Sequence, residues 1–303
     1  YDEPFADAAG LAVMLLARLT RQHVTVCLSG EGADELFGGY RRYVSERYVT
    51  GQAWLRWLLA PCSGMLNVIP GLRRLKTLAA AARLSDPARR YASYLRVLEP
   101  SLQAVLVLSA WREEREDPDA AFAQRDPWRQ GPPRVPPIAR LCLLDQRLWM
   151  VDTYLEKTDK ASMAASLEVR VPYLDRHVLA FANGLPDSWR VRGRSKKRIL
   201  RDAFRGLVPQ QALDKPKRGF AVPVGEWFRG PLRSVLEAAL LDGDSPAREF
   251  LAIDVVARLI REHRVRTPDR SSALWTLFVF ARWLNLRAGE NRSPKERDEQ
   301  VKA

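Results

Sequence analysis

Cys27-Leu28-Ser29-Gly30-Glu31-Gly32-Ala33-Asp34-Glu35-Leu36-Phe37-Gly38-Gly39-Tyr40 follows a strand-like segment, Val24 to Leu28, and sets three carboxylates and four glycines in one turn. Glycine permits positive φ and close backbone approach, so consecutive N–H groups can converge on an anion, while Glu31, Asp34 and Glu35 offer hard oxygen ligands or a base. Such a turn can hold magnesium and phosphate together, which is nucleotide chemistry in outline. A Gly-rich turn with solvated acids is the alternative, and the motif alone does not decide between them.

Working outward, Asp7 to Arg21 reads as an amphipathic helix, with Leu11, Leu15, Leu16 and Leu19 at 3–4 spacing, leading into the strand. Helix, strand and turn form the second half of a βαβ-like unit, in which ligands sit at the carboxyl ends of strands. Tyr43 to Ala110 reads as short helices broken at Pro61, Pro70, Pro87 and Pro100. Arg125 to Pro137 holds five prolines and reads as a loop. Ile138 to about Leu167 reads as one long helix, in which Asp145, Asp152 and Asp159 share a face and Glu156 pairs with Lys160 one turn on. Further helices are expected at Asp175–Ala182, Lys196–Phe204, Pro231–Leu241, Ile253–Arg264 and Ser272–Leu286.

Three more segments fall in order with the first. Tyr1-Asp2-Glu3-Pro4-Phe5-Ala6-Asp7 precedes the turn; Asp159-Lys160-Ala161-Ser162-Met163-Ala164-Ala165-Ser166-Leu167-Glu168-Val169-Arg170-Val171-Pro172-Tyr173-Leu174-Asp175 and Lys215-Pro216-Lys217-Arg218-Gly219-Phe220, with Pro223 and Trp227, follow it. Together they resemble the synthetase domain of glutamine-hydrolysing asparagine synthetases and their amidotransferase relatives. The resemblance implies an α/β fold of the adenine-nucleotide α-hydrolase (ATP pyrophosphatase) type, here predominantly helical with an incomplete parallel sheet. It implies that residues 1–288 are the C-terminal portion of that domain and 289–303 a charged, disordered tail. The family's S-G-G-x-D-S ATP loop and its N-terminal glutaminase domain with a catalytic cysteine are not in these residues. The expectation is therefore a piece that begins inside the synthetase domain.

The resemblance also implies an ATP-dependent, amide-forming ligase. A carboxylate, the aspartate side chain first, is adenylated, and glutamine-derived ammonia converts the acyl-adenylate to asparagine, AMP and pyrophosphate. ATP and Mg²⁺ are the implied cofactors. By motif position Glu31 is the catalytic base, Asp34 a magnesium ligand and Lys217 the pyrophosphate contact. Ser29, Gly30 and Gly32 line the nucleotide site, and Asp159 and Arg170 belong to the substrate pocket or brace the fold, Arg170 by pairing with Asp159 or Asp175. Ala9 stands where many bacterial members have serine, which keeps another carboxylate, as in cell-surface polymer pathways, as the alternative acceptor. A homodimer stays an open expectation.

Composition bounds the rest. At 303 residues and 47% hydrophobic content the chain can bury a substantial core. No apolar run reaches the span of a bilayer. Cys27, Cys62 and Cys142 are few and far apart, which suits a cytoplasmic protein without disulfides or zinc. A net charge of +13, clustered at Arg41-Arg42, Arg73-Arg74-Lys76, Arg89-Arg90, Arg192 to Arg201 and Lys215-Lys217-Arg218, raises a basic nucleic-acid-binding module as the remote rival. No helix-turn-helix, zinc-finger or RNP pattern accompanies it, so the clusters read as solvated surface. His23, His177 and His263 lie in unrelated contexts and read as structural or exposed.

Overall fold

The computed structural model describes residues 1–51, 73–111, 124–126, 135–214, 222–265 and 269–290. Pro61, Pro70, most of the Arg125–Pro137 segment, Lys217 and the charged tail from residue 291 lie outside the described residues. The chain divides into two compact units: residues 1–12, 97–115 and 220–303 form one, and residues 13–96 and 116–219 the other.

The second unit carries the turn. Helix α1 spans Ala9–Arg21, strand β1 Val26–Leu28 and helix α2 Ala33–Phe37. Strand β1 pairs in parallel with β2, Glu168–Arg170, in the register Val26 with Glu168, Cys27 with Val169 and Leu28 with Arg170. The helical content and small parallel sheet agree with the sequence reading, although β2, whose three residues carry no alternation long enough to announce a strand, was not among its elements.

One long helix from Ile138 is not what forms. An α-helix over Pro137–Leu144 passes into a π-helix over Asp145–Leu155 and returns to an α-helix over Glu156–Met163. The i→i+5 bonds of a π-helix change the angle between residues. A seven-residue interval therefore stops returning to one face: Asp145 is fully buried, whereas Asp152 and Asp159 are exposed. The shared acidic face is thus corrected. The inward turn of Asp145 has a cause, because Arg42 Nη2 (2.7 Å), Tyr91 Oη (2.7 Å) and Tyr43 Oη all donate to its carboxylate. The Glu156–Lys160 pair is present at 2.6 Å.

Prolines begin helices here as well as separating them. Pro87 and Pro100 stand at the starts of Pro87–Leu95 and Pro100–Leu106, where a missing N–H costs nothing, and Asp86 caps the first by accepting from the Ala88 and Arg89 amides. The basic clusters are also less solvated than their sequence suggests. Arg42 is largely buried on Asp145, and Arg90 is buried against Glu46 at 2.7 Å. Two apolar clusters fill this unit, one around Tyr43, Tyr91, Leu141, Leu144 and Val191, the other around Leu36, Phe37 and Ala182.

The first unit is a helical layer around Phe228, Leu236, Leu240, Val256, Leu259 and Leu274. Its helix over Ile253–Arg264 has the expected bounds, and the last helix runs Ser271–Glu290. His263 is buried there, with a ring nitrogen 3.3 Å from Asp269; His23 and His177 are exposed. Among the described residues, no helix is long and apolar enough to cross a membrane.

Candidate functional site

The sheet fixes where the turn starts. The Ser29 amide donates to the Arg170 carbonyl at 2.8 Å, extending the β1–β2 ladder by one bond, and the Glu31 amide donates to Ser29 Oγ at 3.4 Å. Gly32 then opens α2 with φ of 85°, in the left-handed region, and a Cβ there would lie 2.5 Å from Leu174 Cδ2. The glycine is thus required by backbone and packing alike. Gly38 ends α2 at φ 75°, and at Gly39 any Cβ would collide with Asp34 Oδ1. Gly30 differs: nothing lies within 4 Å of the place its Cβ would take, so the backbone there is open to a ligand.

Glu31 is half-buried beside that opening. Thr158 Oγ1 donates to Glu31 Oε1, and among the described residues the other oxygen, Oε2, is buried without a hydrogen-bond partner. Burial raises the Glu31 pKa above the ordinary carboxylate value, against the opposing pull of the Thr158 hydrogen bond and the Lys157 charge. Lys157 is itself buried, its ammonium 4.8 Å from the centroid of the Tyr154 ring. A half-buried carboxylate with one oxygen held, one oxygen available and a raised pKa has the properties of a general base.

Asp34, three residues on, is held by Lys197 Nζ at 3.0 Å, and Lys196 Nζ donates to the Gly39 carbonyl at 2.9 Å. Lys197 adopts φ of 49°, a left-handed value rare for a non-glycine residue. Glu35, the third acid, points inward: it is buried, accepts from Tyr40 Oη, and burial raises its pKa. It braces the turn.

The structure therefore gathers Ser29, Gly30, Glu31, Gly32 and Asp34 in one turn. Lys217 lies outside the described residues. Asp159 is exposed, one residue after Thr158. Arg170 is exposed and pairs with Glu168 at 2.8 Å, while Asp175 caps the helix Arg176–Asn183 by accepting from the His177 amide. The Arg170 brace to Asp159 or Asp175 is corrected accordingly. Thr158, Lys157, Lys196 and Lys197 were missed as site residues. The signals are weak: Lys157 and Thr158 sit just before the Asp159 segment, and Lys196 and Lys197 enter only as charge in the basic run Arg192 to Arg201.

Among the described residues, no group of three or more His, Cys, Asp or Glu side chains could hold a metal by itself.

A strand thus runs into a glycine- and acid-rich turn that Lys196, Lys197 and Thr158 reach from distant segments. The asparagine synthase family model matches residues 1–285, and the chain belongs to that family. It is 35% identical over 287 residues to a putative glutamine-hydrolysing asparagine synthetase of Mycobacterium tuberculosis (strain ATCC 25618 / H37Rv), covering 93% of this chain and 42% of that protein. It is 30% identical over 313 residues to the glutamine-hydrolysing asparagine synthetase 1 of Bacillus subtilis (strain 168), covering 100% of this chain and 47% of the relative. A shorter stretch of 80 residues, 24% of this chain and 12% of the relative, is 31% identical to the amidase chry2 of Gibberella zeae. The chain spans less than half the length of the curated asparagine synthetases it matches.

Proposed function

We propose that this chain is the synthetase part of an ATP-dependent amide-forming ligase, built on an adenine-nucleotide α-hydrolase-like fold. The observation that carries the reading is Glu31, raised in pKa by burial, anchored on one oxygen by Thr158 and, among the described residues, buried without a hydrogen-bond partner on the other, close to the exposed Gly30 backbone.

In the first half-reaction a substrate carboxylate oxygen attacks the α-phosphorus of ATP, and pyrophosphate leaves with the electron pair of the broken bond. Asp34 and Lys217 act here, Lys217 by neutralising the departing oxygens and Asp34 by holding Mg²⁺, which would supply charge stabilisation to the phosphates. Lys197 holds the Asp34 carboxylate in place. In the second half-reaction ammonia adds to the acyl carbon, Glu31 Oε2 takes a proton from the attacking nitrogen, and AMP departs as the amide forms. Ser29 and Gly30 border the intermediate through backbone groups.

The aspartate side chain is the acceptor supported by the names of the relatives, with glutamine as the source of ammonia. Ala9, in place of the serine of many bacterial members, favours keeping a second carboxylate as the alternative. Asp159 and Arg170 stay with the substrate side of the site, a homodimer is the proposed assembly and the cytoplasm the proposed location.

The test is Glu31→Gln in the complete protein. Amide formation is expected to fall by roughly 10²–10⁴-fold, the usual contribution of a positioned base, with glutaminase activity intact. Unchanged amide synthesis would return Glu31 to the role of a turn residue.

A further inference from the structure

Tyr154 stands in the last turn of the π-helix, and Lys157 follows three residues on, in the α-helix Glu156–Met163. Lys157 is buried, with its ammonium 4.8 Å from the centre of the Tyr154 ring. Its charge acts on Glu31, the acid that the next residue, Thr158, holds through Oε1. Consecutive residues thus present a cation and a hydroxyl to one carboxylate.

The Tyr154 ring is itself fixed. Tyr40 stacks on it at 6.2 Å with the planes 20° apart, and Trp149 meets it edge to face at 6.3 Å. Tyr40 is held in turn, because its hydroxyl donates to Glu35 and the Arg42 guanidinium lies 4.0 Å from its centroid. Arg42 is bound by Asp145, in the first turn of the same π-helix. Lys157, Tyr154, Tyr40 and Arg42 therefore form a chain of two cations and two stacked rings that begins and ends against one helix. A ring face carries negative potential and attracts an ammonium, so the stack sets where that charge sits. The other charged groups on the elements packed around Glu31 are engaged elsewhere: Asp34 with Lys197, Glu35 with Tyr40, Glu156 with Lys160 and Glu168 with Arg170, while Asp159 is in solvent.

We propose that Tyr154 is a positioning residue of the site, its ring fixing the place of the Lys157 ammonium that acts on Glu31. This rests on the reading of Glu31 as the base. The test measures kcat/KM for amide formation against pH in the complete protein. Tyr154→Leu is expected to move the acid limb to higher pH, because the loosened ammonium no longer opposes protonation of Glu31. On that limb kcat/KM should fall by about three-fold or more beyond any loss on the plateau. Lys157→Met is expected to move the limb the same way, and Tyr154→Phe, which keeps the ring, to leave it where the parent has it. Tyr154→Leu combined with Lys157→Met should shift it no further than Lys157→Met alone. A residue that merely packs would lower the rate evenly at every pH. An even loss in Tyr154→Leu, an equal shift in Tyr154→Phe, or additive shifts in the double variant would overturn the proposal and leave Glu31 as the base. Tyr154→Met, with an unbranched side chain that adapts to the gap, is the second variant if Tyr154→Leu does not fold, and the same outcomes decide it. Glu31→Gln, assayed alongside, separates the two readings. Unchanged amide formation there removes the base and the proposal with it, whereas a large loss there with an unmoved limb in Tyr154→Leu removes the role of Tyr154 alone.

Discussion

Glu31 is caught between opposing influences, and each can be removed singly. Burial raises its pKa, while the Thr158 hydroxyl and the Lys157 ammonium oppose the rise. A base works deprotonated, so the rate should climb as pH rises through the Glu31 pKa and level off above it. Thr158→Val deletes an opposing influence, and the acid limb of the kcat/KM profile is expected to move to higher pH. An unmoved limb would detach Thr158 from the base. Stability should run the other way. The folded pKa lies above the unfolded one, so the group's favourable contribution is fully present below the unfolded value and is lost as pH rises through the folded value. Glu31→Gln is therefore expected to melt at a higher temperature than the parent near neutral pH and to lose that advantage in acid, which calorimetry at several pH values would read. Cys142 illustrates the same burial effect without function: its thiol is pushed up to about 12, which makes it inert at physiological pH.

Within elements, the glycines of the turn separate packing from chemistry. Gly32→Ala forces a side chain into the left-handed region and against Leu174. The backbone alone should cost about 1–2 kcal/mol, with overpacking added, measurable as a lower denaturation midpoint. Gly39→Ala strikes Asp34 instead, so carboxylate-dependent ATP/pyrophosphate exchange should drop by ten-fold or more while the denaturation midpoint falls less than in Gly32→Ala. The π-helix over Asp145–Leu155 has its own anchor. Asp145→Ala would leave Arg42 largely buried without its acid, and breaking a buried pair costs about 3–5 kcal/mol. A loss under 1 kcal/mol in urea titration would show that water reaches the site freely.

On the scale of the whole molecule, apolar surface is unevenly covered. Leu15, Leu16 and Leu19 on α1 are 52–61% exposed, and Leu28 at the end of β1 is 72% exposed. Those residues, with a sheet that has two strands among the described residues, form a surface prone to association. The chain expressed by itself is expected to self-associate at micromolar concentration, and replacing Leu15 and Leu19 with glutamine to reduce it. Light scattering that gives a monomer of 34.4 kDa for the unmodified chain would count against this. What the sequence determined by itself was local. The left-handed glycines, the acids of the turn, the helix boundaries at Pro87 and Pro100 and the ordered motifs were legible because each is set by backbone sterics or periodicity within a few residues. The tertiary structure alone decided which side chains meet. Thr158 reaches Glu31 from 127 residues away, Lys197 reaches Asp34, and a π-helical stretch turns Asp145 inward while leaving Asp152 in solvent. No short-range pattern encodes these meetings, because they depend on how distant segments close and pack around buried charge.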